Sequence, residues 1–175
     1  MSTSPGTQIR RLEAVDDAQI AELADVLVDC IDGDAGVSFL HPLAPDKAHA
    51  FWRGVADGVA AGERALLVAE DDTGIVGTVQ LVLVQPENQP HRADLSKMLV
   101  HRRGRRRGLG AALLEAAEET ARDCGKTLLV LDTNSGSDAE RLYARMGWVR
   151  VGEIPDFSVQ PRGGLRATTV FYKLL

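Results

Sequence analysis

Residues 93–131 limit the possible fold more than any other part of the chain. An alternating run over residues 93–100 reads as a strand. A strongly apolar helical pattern over residues 108–124 follows, carried by Leu109, Ala112, Leu113, Ala116, Ala117 and Ala121, with Gly125 where a C-cap belongs. Residues 127–131 are then continuously apolar, as in a strand covered on both faces. Strand, helix and doubly covered strand in succession call for an α/β arrangement with helices laid on a sheet.

The flanking segments extend the same pattern. Residues 1–8 are small and polar and read as a loose lead-in to a short strand over residues 9–12. Asp16 or Asp17 supplies an N-cap, and Ile20, Leu23, Ala24, Leu27, Val28 and Ile31 recur at helical spacing up to Gly33. A second helix is expected after Pro45, with Ala48, Phe51, Trp52, Val55 and Val59 on one face and Gly62 as the stop. Extended runs at residues 65–70 and 75–84, separated by Asp71-Asp72-Thr73-Gly74, read as a hairpin. Ser137 and Glu140 have capping-box spacing and open a helix that ends near Met146. Strands are expected at residues 148–151 and 168–174, joined by a Gly- and Pro-containing loop over residues 155–164. The order is βααβββαβαββ in one mixed α/β domain over residues 1–175, with no repeat or linker to divide it.

Composition excludes several classes. The chain has 175 residues, 45% of them hydrophobic and 26% charged, enough apolar material for a sizeable core and too much for a disordered chain. No window approaches the roughly 20 apolar residues of a bilayer-spanning helix, so no membrane association is expected. Cys30 and Cys124 are too few and too far apart for a disulfide framework or a tetrahedral metal site, which fits a reducing, cytoplasmic setting. His41, His49, His91 and His101 show no ligand spacing, so no metal is expected. A net charge of -5 suits a nucleic-acid partner poorly, and any basic patch must be local.

One such patch exists. Five of the six residues from 102 to 107 are arginine, and Gly108-Leu109-Gly110 follows at the helix start. A helix N-terminus exposes unpaired N–H groups at the positive end of its dipole, and glycines let a ligand approach the backbone. The pattern is built for an anion, above all a pyrophosphate. The dipole supplies only ~0.3–1 kcal/mol, so the arginines carry much of the attraction and a multiply phosphorylated cofactor is expected. The Gly-Lys-Ser/Thr ending of a P-loop is absent and a lone Gly-x-Gly is a weak dinucleotide signature, which disfavours ATP and NAD. No aromatic platform is interleaved with the arginines, which disfavours nucleic acid.

Arg105-Arg106-Arg107-Gly108-Leu109-Gly110 resembles the Arg/Gln-x-x-Gly-x-Gly/Ala element of the GNAT superfamily of acetyl-CoA-dependent N-acetyltransferases, and Ala139, Leu142, Tyr143, Gly147 and Trp148 resemble its second signature. The likeness covers nearly the whole chain. Within the superfamily it is closest to the tabtoxin-resistance type, through Lys97-Met98-Leu99-Val100, Leu131-Asp132-Thr133 and Val151-Gly152-Glu153. The resemblance implies a mostly antiparallel mixed sheet, splayed between its fourth and fifth strands, with flanking helices. It implies that Met98, Leu99 and Val100 pair with the pantetheine arm of acetyl-CoA. It further implies that the turn of Arg105, Arg106, Arg107, Gly108, Leu109, Gly110 and Ala111 holds the pyrophosphate by main-chain amides. Two positions depart from the pattern: Arg106 stands at a site usually Gly, and Gly136 where many members have Asn, with Asn134 two residues earlier.

A lysine-like amine of pKa ~10.4 is free base about once in several thousand molecules at pH 7, so a base or water relay is needed beside the gap. Asp94, near the start of one strand, and Asp132, at the end of the other, are the candidate carboxylates. By resemblance Tyr143 donates a proton to the departing CoA thiolate. Direct attack in a ternary complex is preferred to an acyl-cysteine route, because Cys124 falls at a helix C-terminus that disfavours a thiolate. The expected acceptor is an amine of a small molecule, an antibiotic, toxin or amino-acid-like metabolite, bordered by residues 33–39 and 155–166 and an acidic groove of Asp34, Glu153 and Asp156. A protein lysine or N-terminus, and a CoA-binding module without turnover, remain as alternatives. A monomer or homodimer is expected.

Overall fold

A computed structural model describes residues 6–175, so most of the expected N-terminal lead-in lies outside the described residues. The elements are β1 (Gln8–Leu12), α1 (Asp17–Asp32), α2 (Pro45–Ala60), β2 (Arg64–Asp71), β3 (Gly74–Val82), β4 (Arg92–Val100), α3 (Leu109–Asp123), β5 (Leu128–Asn134), α4 (Asp138–Arg145), β6 (Val149–Val159) and β7 (Leu165–Leu174). Their order is the one read from the sequence.

Local chemistry sets most boundaries. Asp16 caps α1 through the Gln19 N–H at 2.8 Å, and the Gln19 side chain returns the bond to the Asp16 N–H at 2.9 Å. Pro45 opens α2, where its missing N–H costs nothing. Ser137 caps α4 through the Glu140 N–H at 3.1 Å. The Glu140 carboxylate does not complete a capping box on Ser137; it takes the Gly136 N–H at 2.5 Å and the Thr169 hydroxyl at 2.9 Å. Those donors hold its pKa below the usual carboxylate range.

One seven-stranded sheet runs in the order β1-β2-β3-β4-β5-β7-β6. All neighbours are antiparallel except β4 and β5. Helices α1 and α2 bury Leu23, Leu27, Ile31 and Trp52 against one face, where Leu66 and Leu99 also point. Helices α3 and α4 bury Leu109, Leu113 and Tyr143 against the other, with Leu95, Leu129 and Leu131. The parallel pairing of β4 with β5 lasts only from Arg92↔Leu128 to Asp94↔Val130. Beyond Asp94 the strands diverge, and the β4 edge facing β5 is left without a strand partner.

The C-terminal hairpin is longer than expected. Strand β6 continues to Val159 and β7 begins at Leu165, so the loop is short. Pairing breaks between Ile154 and Ser158, then resumes as Ser158↔Arg166 and Val159↔Leu165. Pro155 sits in that break on an edge strand, where no N–H is needed, so it interrupts the ladder without ending it.

Candidate active site

The Arg/Gly turn stands where β4 leaves the splay and α3 begins. Gly108 is the N-cap of α3 with φ +75°, a conformation glycine adopts without penalty. The first backbone donor to find a helical acceptor is Ala112, to Gly108 at 3.1 Å, which leaves the amides of Leu109, Gly110 and Ala111 without intrahelical partners. Arg106 has φ +60°, so two left-handed residues flank Arg107 and turn successive N–H groups into a concave anion cradle. A Cβ on Gly110 would lie 3.0 Å from the Leu142 Cδ2, so glycine there allows α4 to approach the cradle.

The arginines divide into structural and available ones. Arg102 pairs with the buried Asp29 of α1, and Arg103 donates to the Ile75 carbonyl at 2.8 Å. Arg105 folds back to the Val100 carbonyl at 3.2 Å. Arg107, expected to contact cofactor, turns its guanidinium to Asp71 at 2.8 Å and Thr7 at 2.7 Å, so only its backbone belongs to the cradle. Arg106 makes no side-chain hydrogen bond or ion pair among the described residues. Of the five arginines, Arg105 and Arg106 make no ion pair among the described residues, and both line the cleft below.

Below the cradle a cleft of about 1120 Å³ runs along the free edge of β4, past Met98, Leu99, Val100 and Arg106, to Tyr143 and Arg145 on α4. It exceeds the usual range of drug-sized sites and suits a long, polyanionic ligand with an extended arm. Leu99 points its side chain into the α1–α2 core, so among the strand residues it can offer only backbone. Among the described residues no cluster of metal-ligating side chains is found, and no helix is long and apolar enough to cross a membrane.

A second chamber, of about 290 Å³, adjoins the cleft through the shared walls Gly36 and Asn134. Asp132 lines it, its carboxylate held by the Thr168 hydroxyl at 2.8 Å. Asn134 is not a free anchor: its amide donates to Gln160 at 2.8 Å and abuts Gly36. Of the two expected border loops, residues 33–37 line mainly the large cleft, while Phe39, Leu40 and Phe157 line the chamber. The segments that carry these lining residues are tied to each other: the His41 N–H donates to the Pro161 carbonyl at 2.9 Å and Arg162 to the Asp32 carbonyl at 3.1 Å.

Asp94 does not reach this gap. It sits at the closed end of the splay, still paired with Val130, where Arg92 holds its carboxylate at 2.5 Å and Gln85 at 3.1 Å. Tyr143 does border the cleft and is 5% exposed, packed against Trp148 and Phe171. Burial, reinforced by the negative charge of Asp132, pushes its phenol well above the ordinary tyrosine pKa. It stays protonated and can serve as a donor.

Sequence reasoning passed over Arg145 as a site residue, held Ser38 and Arg166 only as members of the border loops, and treated Lys97 only as part of a motif. Only the tertiary fold brings Ser38, Arg145 and Arg166 to the cavities and Lys97 into contact with Ser38. The positive φ of Lys97, +50°, comes from a bulge in β4 that no local pattern announces.

Comparison with known proteins agrees with this geometry. The model of the Acetyltransferase (GNAT) family matches residues 31–148. An uncharacterized N-acetyltransferase from the hisH-hisA intergenic region of Azospirillum brasilense is 31% identical over 126 residues, 71% of this chain and 73% of the relative. Among solved structures, the acetyltransferase yncA of Salmonella typhimurium, determined with its cofactor acetyl-CoA, superposes with a TM-score of 0.78 at 22% identity, covering 97% of this chain and 94% of that one. A ribosomal-protein-alanine N-acetyltransferase of Brucella melitensis gives 0.79 at 22% identity, covering 96% and 99%.

Proposed function

Because this chain belongs to the acetyltransferase (GNAT) family, we propose that it moves the acetyl group of acetyl-CoA onto a primary or secondary amine of a small molecule by direct attack in a ternary complex. The observation that carries this reading is the junction of the two cavities. A cleft with unpaired helix amides at one end lies against a small chamber with a carboxylate on its wall, Gly36 and Asn134 forming the partition that both share.

In this reading the diphosphate sits against the amides of Leu109, Gly110 and Ala111, and the pantetheine arm lies along Met98, Leu99 and Val100. Asp132 attracts the acceptor ammonium and takes its proton, directly or through water. The neutral nitrogen attacks the thioester carbonyl, the C–N bond forms and the C–S bond breaks, and the nitrogen loses its second proton to solvent, to which Asp132 also passes the first. Tyr143 gives its proton to the departing sulfur and regains one from solvent. A thiolate is a weak base, so placing the two reactants side by side contributes more than this proton does.

The small volume of the chamber, about 290 Å³, favours a small acceptor over a protein chain such as the one named for the Brucella enzyme. The likeness of residues 97–100, 131–133 and 151–153 to the tabtoxin-resistance type points the same way. A reducing, cytoplasmic location goes with this reading, both cysteines being free thiols. The test is thiol release from acetyl-CoA against amino acids, polyamines, aminoglycosides and basic peptides. Release with a small amine supports the reading, release with peptides alone replaces it with a protein acceptor, and none with CoA bound leaves a binding module.

A further inference from the structure

Lys97 occupies an unusual position on β4. The β3–β4 register steps from Thr78↔Leu99 to Gln80↔Ser96, so Lys97 and Met98 both lie opposite Val79. The bulge places Lys97 at φ +50°, a backbone that glycine or asparagine adopts more easily. It also swings the side chain against the α1–α2 side, where Nζ reaches the Ser38 hydroxyl at 3.0 Å and lies 5.6 Å from the centre of the Phe51 ring. Ser38 lines the acceptor chamber.

Lys97 has no counter-ion. Among the described residues no carboxylate lies within the 4.0 Å of an ion pair, and a hydroxyl and a ring face are its nearest partners. Across the splay Asp132 is in the complementary condition, held by one hydroxyl and without a cation at ion-pair distance. Each is close enough to act on the other electrostatically: burial lowers the Lys97 pKa, while the charge of Asp132 raises it. The other charge bearing on Lys97 is Arg64, whose guanidinium is engaged with Gln80 at 2.9 Å. An unpaired cation on β4, which touches the chamber through Ser38, and an unpaired anion on β5, which lines it, thus bear on the same small chamber.

We propose that the acceptor is a zwitterion of the amino-acid class, with Lys97 holding its carboxylate while Asp132 takes its ammonium. Lys97 is then the residue that sets acceptor specificity, and Phe39, Leu40 and Phe157 receive an apolar side chain. Polyamines and aminoglycosides are selected against, because a second ammonium would meet Lys97. This rests on the reading of the chain as an N-acetyltransferase with Asp132 beside the reacting amine.

The experiment is thiol release from acetyl-CoA with matched triplets built on alanine, serine, leucine and methionine. Each triplet holds the amino acid, its carboxamide and its decarboxylated amine. In at least one triplet the wild-type protein should favour the carboxylate member by about tenfold or more in kcat/KM. Lys97→Met should erase that ratio and Lys97→Arg should retain most of it. Equal turnover of all three members by the wild type overturns the proposal without any variant, and so does a Lys97→Met protein that slows the three members equally. Release with polyamines, aminoglycosides or peptides but with no triplet overturns the zwitterion and leaves the transferase standing. Silence everywhere, with CoA still bound in calorimetry, overturns both.

Discussion

Asp29 on α1 accepts two hydrogen bonds from Arg102, one from its backbone N–H at 2.8 Å and one from its guanidinium. Asp29 is 8% exposed and lies beneath the turn that follows β4, so this one carboxylate ties the helix to the anion cradle. Removing it leaves a partly buried N–H and a guanidinium unpaired. Asp29→Ala should cost about 1–3 kcal/mol of stability and weaken CoA binding several-fold, read by denaturant melts and calorimetry. Unchanged affinity in a folded variant would show that the cradle holds its shape without α1.

Asp71 ties the far side of the same turn to the sheet. The Thr73 hydroxyl and the Arg107 guanidinium hold its carboxyl down at about 2, against an ordinary value of 3.8. A depressed carboxylate pKa stabilises the fold fully above the unfolded value and loses that contribution as pH falls toward 2. Asp71→Asn should therefore cost about 1–2 kcal/mol at pH 7, with the gap from wild type closing between about pH 4 and pH 2. Denaturant melts across that range give the answer, and a constant gap would place the stabilisation in packing.

Arg106 sits at φ +60°, where a side chain is strained and glycine is not. Its guanidinium has no protein partner among the described residues, so nothing within the fold offsets that strain. Arg106→Gly should leave stability unchanged or raise it by up to about 1 kcal/mol and weaken CoA binding by a few-fold through loss of the charge. A melt paired with a titration separates the two. Loss of stability would mean that the side chain packs against something it does not touch here.

The order of elements was legible because helical and strand periodicities are local, and the cradle because residue types and spacing announce it. Pairings made across the fold were not. Arg107 and Arg106 look alike in sequence, and only Asp71 and Thr7, far away in the chain, decide that one turns inward. Asp94 and Asp132 likewise read as equals on two strands. The pairing of Asp94 with Val130 puts the first at the closed end of the splay and leaves the second beside the chamber. Strand β6 was cut short because Pro155 reads as a breaker, which on an edge strand it is not.

In the proposed reaction placement and proton donation share the labour, and Tyr143 can separate them. Its ring is packed between Trp148 and Phe171, contacts that phenylalanine preserves, so Tyr143→Phe should melt within about 0.5 kcal/mol of wild type. If the phenol protonates the leaving sulfur, kcat should fall about 10- to 100-fold, at the low end of general-acid effects because a thiolate leaves readily. KM for acetyl-CoA should move little, since the hydroxyl acts only as charge develops on sulfur. The pH profile gives a second reading. With its pKa pushed above the ordinary tyrosine value, the phenol stays protonated past pH 10, so the wild-type kcat should show no alkaline loss near pH 10. A variant with full turnover would assign the proton to water and leave Tyr143 as a wall of the cleft, whereas a wild-type profile that falls near pH 10 would show the phenol titrating at its ordinary value.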